Sequence, residues 1–283
     1  MGSLKIGVMI ESFRLGVKEG IKKAAEIGAD GFQLFATRGE MDPDNLSRTA
    51  RKDFLHFVRS LNLEISALCG DLGGHGFEIA NDNEGKIEKS KKIIDLACDL
   101  GTKVVTTHIG ALPGEETSPK WLAMKEACEE LAEYGERVGA SFAIETGPEK
   151  VALLKKFLAG LKSEGVKVNY DPANLVMVAG DDPVKGVYTL KDYIVHTHAK
   201  DGVRLKPIEP RVVYDYFAEG GKGGLNLSDY FLEKPLGEGE VDFEAYLRAL
   251  REIGYTGFFA IEREVGENPV ADIIKAKKFL EQW

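Results

Sequence analysis

The chain has 283 residues, 43% hydrophobic and 29% charged, a balance that supports a large packed core and excludes intrinsic disorder. Its 46 acidic residues outnumber 37 basic ones, giving a net charge of −9 with no sustained Lys/Arg run, so the chain lacks the positive stripe expected of a nucleic-acid binder. No apolar stretch has the length of a membrane span or the flanks of a secretory signal, which points to a cytoplasmic protein.

Cys69, Cys98 and Cys128 form neither CxxC nor any metal-type spacing and read as three reduced, buried thiols. In chain order, a short apolar strand at 4–10 leads into helical spacing over 16–28, with Val17, Ile21, Ala24, Ala25 and Ile27 on one face. A strand at 31–35 precedes an amphipathic helix at 44–61, with Asp44 as its cap. The alternation continues as strand 63–68, helix 84–100, strand 103–107, helix 119–138, strand 141–145 and a helix to about 163. Strand 166–171, a short helix at 183–190 and strand 193–198 follow, and then helix 243–253, strand 257–262 and helix 269–283.

Several units share a helix end, a glycine suited to a left-handed cap, and two or three residues before the next apolar run: Gly28, Gly101, Gly139 and Gly254 hold that position. Eight such units, with no GxGxxG after the first strand, predict a single-domain (β/α)8 barrel rather than an open doubly wound sheet. The exception to the rhythm is an insertion at 203–235, rich in Gly, Lys and Tyr, between the seventh strand and its helix. A connection of this length reads as a functional lid or as a solvated excursion with no role, with Gly220, Gly221, Gly223 and Gly224 as points of flexure.

Four strands end in metal-binding chemistry: Glu145, Asp171, His198 and Glu262 close strands five to eight. In a barrel of this kind the strand C-termini share one face, so the four side chains converge. Three carboxylates repel one another unless a cation joins them, and an O, O, O, N set suits Mn²⁺, Mg²⁺ or Co²⁺, with Zn²⁺ or Fe²⁺ also open. His196, two residues before His198 and on the same side of an ideal strand, is the rival ligand. His108, after strand four, and His75, in a glycine-rich loop, are expected at the barrel mouth, and His75, Glu11 and Gln33 are expected to touch substrate.

The segments Ala143-Ile-Glu145, Tyr170-Asp-Pro-Ala-Asn174, His196-Thr-His198-Ala-Lys-Asp201 and Ala260-Ile-Glu262, with Leu236-Gly-Glu-Gly-Glu-Val-Asp242, resemble the xylose isomerase-like TIM-barrel superfamily. More narrowly, the chain is similar to sugar phosphate isomerase/epimerases and ketose 3-epimerases. The resemblance implies an isomerase or epimerase for a small ketose or sugar derivative, acting by proton abstraction through an enediolate. It implies one divalent ion, Mn²⁺ foremost, held by Glu145, Asp171, His198 and Glu262, with Glu145 and Glu262 exchanging the substrate proton. His108 and Arg204 are then substrate contacts, and Lys200 and Asp201 contact substrate or support the ligands. Asn174, expected to hydrogen-bond a substrate hydroxyl, stands where the epimerases carry a His, and Val151 where they carry a further carboxylate, with Glu149 nearby at another register. A homodimer or higher homo-oligomer is expected by the same resemblance. Alternatives are dehydration of an inosose-like polyol, DNA repair of the endonuclease four type, and a non-catalytic binding role on a barrel scaffold.

Overall fold

The computed structural model describes residues 4–221 and 224–283. Its first four units are β1 (Lys5–Met9) with α1 (Val17–Glu26), β2 (Gly31–Phe35) with α2 (Arg48–Ser60), β3 (Glu64–Cys69) with α3 (Ala80–Asp99), and β4 (Val104–Thr107) with α4 (Pro119–Val138). Next come β5 (Ser141–Glu145) and α5 (Val151–Ala159), then β6 (Val166–Tyr170), a short α6 (Pro172–Asn174), a π-helical turn (Leu175–Ala179) and α7 (Pro183–Thr189). After β7 (Ile194–Ala199) the insertion supplies β8 (Asp201–Arg204), α8 (Pro210–Ala218) and β9 (Phe231–Lys234). The chain then adds α9 (Phe243–Glu252), β10 (Phe258–Ile261) and α10 (Pro269–Leu280).

Strands β1 to β7 and β10 form a closed parallel barrel, with β1 paired to both β2 and β10. The strands are short and almost wholly buried because helices cover their outer faces and side chains fill the interior, so they read as continuous apolar runs. The four glycines expected to cap helices all take positive φ, at 75° for Gly28, 83° for Gly101, 73° for Gly139 and 78° for Gly254. That geometry turns each helix back toward its next strand, and a side chain there would strain it.

Three local expectations are corrected. Asp44 does not cap α2: residues 42–45 form a turn in which Asp42 Oδ1 accepts from Asp44 N (2.9 Å), and Ser47 caps the helix instead, its Oγ accepting from Ala50 N (3.2 Å). Asp44 pairs with Lys89 and Lys92 of α3. Cys98 lies exposed on α3, whereas Cys69 and Cys128 are buried, and all three are free thiols. The insertion begins at Asp201, two residues earlier than expected, because β8 and β9 pair as an antiparallel hairpin.

The hairpin is anchored rather than loose. Arg263, just after β10, bonds Glu233 (2.6 Å) and Asp272 (2.8 Å). The Asp201 carboxylate accepts backbone N–H bonds from Gly202, Gly237, Gly239 and Val241 at 2.8 to 3.1 Å, drawing the 236–242 segment against the strand end. A Cβ at Gly239 would fall 2.1 Å from Asp201 Oδ1, so only glycine fits that approach. Among the glycines read as flexure points, Gly220, Gly221 and Gly224 have positive φ, and Gly223 lies outside the described residues. No helix among the described residues is long and apolar enough to cross a membrane.

Candidate active site

Glu145 is the last residue of β5, Asp171 follows β6, His198 lies near the end of β7, and Glu262 follows β10. One ligand-type atom from each lies within 4.8 Å of the others. His198 Nδ1 is 3.6 Å from Glu145 Oε1, 3.4 Å from Asp171 Oδ2 and 3.3 Å from Glu262 Oε2.

The other face of His198 is set from across the barrel. Gln33 on β2 donates its Nε2 to Thr106 Oγ1 (2.8 Å), which turns its Oε1 toward His198 Nε2 (3.0 Å). Asn169 Nδ2 is also 3.2 Å from His198 Nε2, but that amide donates to Glu145 Oε2 (3.1 Å) while its Oδ1 accepts from His196 Nδ1 (2.9 Å). The shorter Gln33 contact therefore places the proton on Nε2 and leaves the Nδ1 lone pair facing the carboxylates.

This set fits a divalent ion. Asp171 Oδ2 and His198 Nδ1 are buried and have no hydrogen-bond partner, an arrangement that is costly unless a cation takes both. Asp171 Oδ1 is already used, accepting from Asn174 N (2.8 Å) at the start of α6, so Oδ2 is the oxygen left for a ligand role. Burial alone would push the His198 pKa down, but Glu145 and Glu262 outweigh it and hold the value well above the usual histidine range. The carboxylates thus favour positive charge at Nδ1, carried by a second proton when no cation is bound and displaced when one binds.

His196, the rival ligand, is excluded by its bonds. Its Nδ1 engages Asn169 and its Nε2 lies 3.1 Å from Ser66 Oγ, so both nitrogens are occupied one layer deeper in the barrel. Burial, with the neighbouring His198, pushes its pKa well below the usual range and keeps it neutral.

Above the four residues lies a cavity of about 290 Å³, whose lining includes His108, Asn174 and Lys200. His108 Nδ1 is 2.9 Å from Asp71 Oδ2 and its Nε2 is 3.8 Å from Glu145 Oε1. Burial opposes its charge, yet the Glu145 and Asp71 carboxylates raise its pKa to about 10, so the ring is a hydrogen-bond donor on both nitrogens at neutral pH. Asn174 Nδ2 donates to Glu145 Oε1 (3.1 Å). Lys200 is buried, donates to Glu262 Oε2 (2.9 Å) and pairs with Glu264. Burial raises the Glu262 pKa, but Lys200 and His198 more than reverse this and hold it well below the usual carboxylate range.

Arg204 and His75 are not among the described residues that line the cavity. Arg204 sits on β8 with its guanidinium over Gly180, where an added Cβ would come 1.2 Å from Nη1. His75 Nδ1 instead lies 3.5 Å from Asp215 of α8, where the β3 loop meets the insertion. Glu11 Oε1 accepts from Phe35 N (3.0 Å) and joins the turn after β1 to the end of β2. Gln33 reaches His198 rather than the cavity lining.

Sequence reasoning passed over Asn169 and Asp71. Asn169 was marked by its position two residues before Asp171, on the same side of the strand. Asp71 was marked only by tertiary contact with His108 and left no local signal. The insertion also contributes Tyr214 and Phe217 to the cavity wall, which composition alone did not place.

Comparison with known proteins agrees with this architecture. An inosose dehydratase from Lacticaseibacillus casei is 27% identical over 172 residues, 58% of this chain and 55% of the relative, so the chain matches about half the length of that protein. A xylose isomerase domain protein from Planctomyces limnophilus superposes with a TM-score of 0.80 at 23% identity, covering 99% of this chain and 97% of the other. A D-psicose 3-epimerase from Clostridium cellulolyticum, solved with D-tagatose, superposes with a TM-score of 0.74 at 14% identity over 99% of each chain. At these identities the two structures speak for the fold alone. The profile of the xylose isomerase-like TIM barrel family matches residues 21–283, and the chain belongs to that family.

Proposed function

We propose that this protein, acting as one domain, is a divalent-metal-dependent enzyme that moves a proton beside the carbonyl of a small sugar or sugar derivative, isomerising or epimerising it. The observation that carries this reading is the unpartnered pair Asp171 Oδ2 and His198 Nδ1, buried beside Glu145 and Glu262, which line the cavity. Glu145, Asp171, His198 and Glu262 would hold the ion, with Mn²⁺ the first choice for an oxygen-rich set. A divalent ion there supplies polarisation of a carbonyl and its neighbouring hydroxyl.

The chain's own residues account for the proton. Glu262, kept ionised by Lys200, accepts it from the carbon beside the carbonyl. His108, protonated and held by Asp71, offers Nε2–H to a substrate oxygen as negative charge develops. For inversion Glu145, steadied by Asn169 and Asn174, enters the cycle carrying a proton of its own and delivers it from its side of the substrate, while Glu262 keeps the one it took. Two carboxylates on one floor suit inversion at a single carbon, and either alone suits transfer to the adjacent carbon.

A second reading, dehydration, is favoured by the similarity to an inosose dehydratase. The same proton removal would then expel a neighbouring hydroxide, with His108 as the acid that protonates it.

Proton NMR in D₂O with the Mn²⁺-loaded protein and a panel of free ketoses, ketose phosphates and inososes tests both. Deuterium entering beside a carbonyl without loss of mass, and absent in Glu145→Gln and Glu262→Gln, supports isomerisation or epimerisation. Loss of one water establishes dehydration. Failure of any panel member to exchange or lose water, with ion bound, rejects the proposed chemistry.

A further inference from the structure

We infer that Asn174 is a positioning residue that holds Glu145 to a single ligand oxygen and thereby makes the site favour a small divalent ion over Ca²⁺. The inference rests on the metal-dependent function proposed above and deepens it. It starts from the hydrogen bonds that already occupy the carboxylates around the unpartnered pair, Asp171 Oδ2 and His198 Nδ1.

Glu145 is held at both oxygens. Oε1, the oxygen 3.6 Å from His198 Nδ1, accepts from Asn174 Nδ2 (3.1 Å), and Oε2 accepts from Asn169 Nδ2 (3.1 Å). A carboxylate is planar and rigid, so swinging Oε2 up beside Oε1 would break both bonds together. Both donors are neutral amides, which fix the group without cancelling the charge that draws a cation. Glu262 is tied differently, by the Lys200 ammonium at Oε2 (2.9 Å).

Asp171 is limited from the same residue. Its Oδ1 accepts from the backbone N–H of Asn174 (2.8 Å), which leaves Oδ2 to serve as a ligand. Thr146, next to Glu145, completes the tie: its Oγ1 donates to Asp171 O (2.9 Å) and accepts from Asp171 N (2.8 Å). The ends of β5 and β6 are thus joined twice. The backbone half of this bracket survives a change of side chain, whereas the amide on Glu145 Oε1 is what asparagine itself supplies.

The loop after β5 is shaped to bring that amide close. Gly147 has a φ of 144°, and a Cβ there would fall 2.5 Å from Asn174 Cβ. A side chain at 147 would strain the backbone and push Asn174 off Glu145.

Ion choice follows from how many oxygens the carboxylates can turn inward. Ca²⁺ collects about six to eight oxygens, often through carboxylates that give both, and an imidazole offers it none. A smaller ion needs fewer and is served by carboxylates that each give one.

Competition tests this: each Mn²⁺-loaded protein is titrated with Ca²⁺ while released Mn²⁺ is read by electron paramagnetic resonance. Asn174→Leu, close in size but without a donor, is expected to give up half its Mn²⁺ at a Ca²⁺/Mn²⁺ ratio at least about tenfold lower than the parent. Gly147→Ala is expected to shift the ratio the same way, because it displaces the amide instead of removing it. A site that was merely loosened would lose both ions alike and leave the ratio unmoved. A ratio changed by less than about threefold in Asn174→Leu, the parent ratio in a folded Gly147→Ala protein, or no displacement from either Asn174→Leu or the parent overturns the inference and leaves the proposed function standing. If the ratio shifts as expected but no sugar of the panel exchanges or loses water, the inference survives and the proposed chemistry fails. If the parent binds no Mn²⁺, both fall.

Discussion

The proton on His198 is placed from the opposite side of the barrel, by an amide on β2. Gln33 is itself fixed by Thr106, so replacing it with leucine frees the imidazole to turn and to carry its proton on either nitrogen. Gln33→Leu is expected to weaken Mn²⁺ binding roughly 10- to 100-fold with the circular dichroism unchanged; equal affinity would show that the orientation is set elsewhere. Glu149 carries a second prediction. It is buried, its Oε2 has no partner, and burial raises its pKa to about 8 despite the Leu112 backbone bond and nearby His108. The folded protein thus keeps a proton that the unfolded chain releases in the ordinary carboxylate range, so stability falls as pH rises from there to about 8. Glu149→Gln should be indifferent near pH 5 and melt roughly 5 °C higher than the parent at pH 9; parallel melting curves against pH would reject this. The four ligand-type residues were legible because alternate residues of a barrel strand face inward, and three carboxylates and one imidazole at successive strand ends needed only counting. Arg204 was not: a new strand begins at Asp201, so counting onward from His198 no longer says which way a side chain points.

Helices and strands were legible from glycine caps and apolar runs, since each unit repeats the same physical problem of turning a helix back to the sheet. The insertion was legible only as a break in that rhythm, because its order comes from distant partners. Arg211 of α8 makes two 2.7 Å contacts with the buried Glu78 carboxylate after β3, and a further contact with Asp215, which also faces His75. These contacts latch α8 over the cavity from a position 133 residues away in sequence. Glu78 keeps Lys120 (2.9 Å) and Ala111 N (2.9 Å) when Arg211 is removed, so Arg211→Ala releases the helix without stranding a buried charge. Losing about 1–2 kcal/mol of local contact should speed limited proteolysis within 205–230 roughly tenfold, with little change in global melting. Unchanged cleavage would mean that apolar packing of Val213 alone holds the helix down.

At the scale of the molecule, all four ligand-type residues come from the second half of the chain, while Gln33, Ser66, Asp71, Thr106 and His108, which orient or surround them, come from the first. The site is complete only when the ring is closed, so an ion that binds it should stabilise the whole fold. Mn²⁺ at a hundredfold excess over its Kd is expected to add about 2.7 kcal/mol, and Asp171→Asn to remove most of that gain; a melting temperature indifferent to the ion would argue against metal binding. Ring closure also governs how the protein meets other chains. Every barrel strand has two neighbours, so among the described residues the unpaired strand edges belong to β8 and β9. Those strands are four residues long and carry Asp201, Arg204, Glu233 and Lys234, and short charged edges resist templating of fibrils. The barrel's own strands therefore offer no free edge to another chain until the seam between two of them parts.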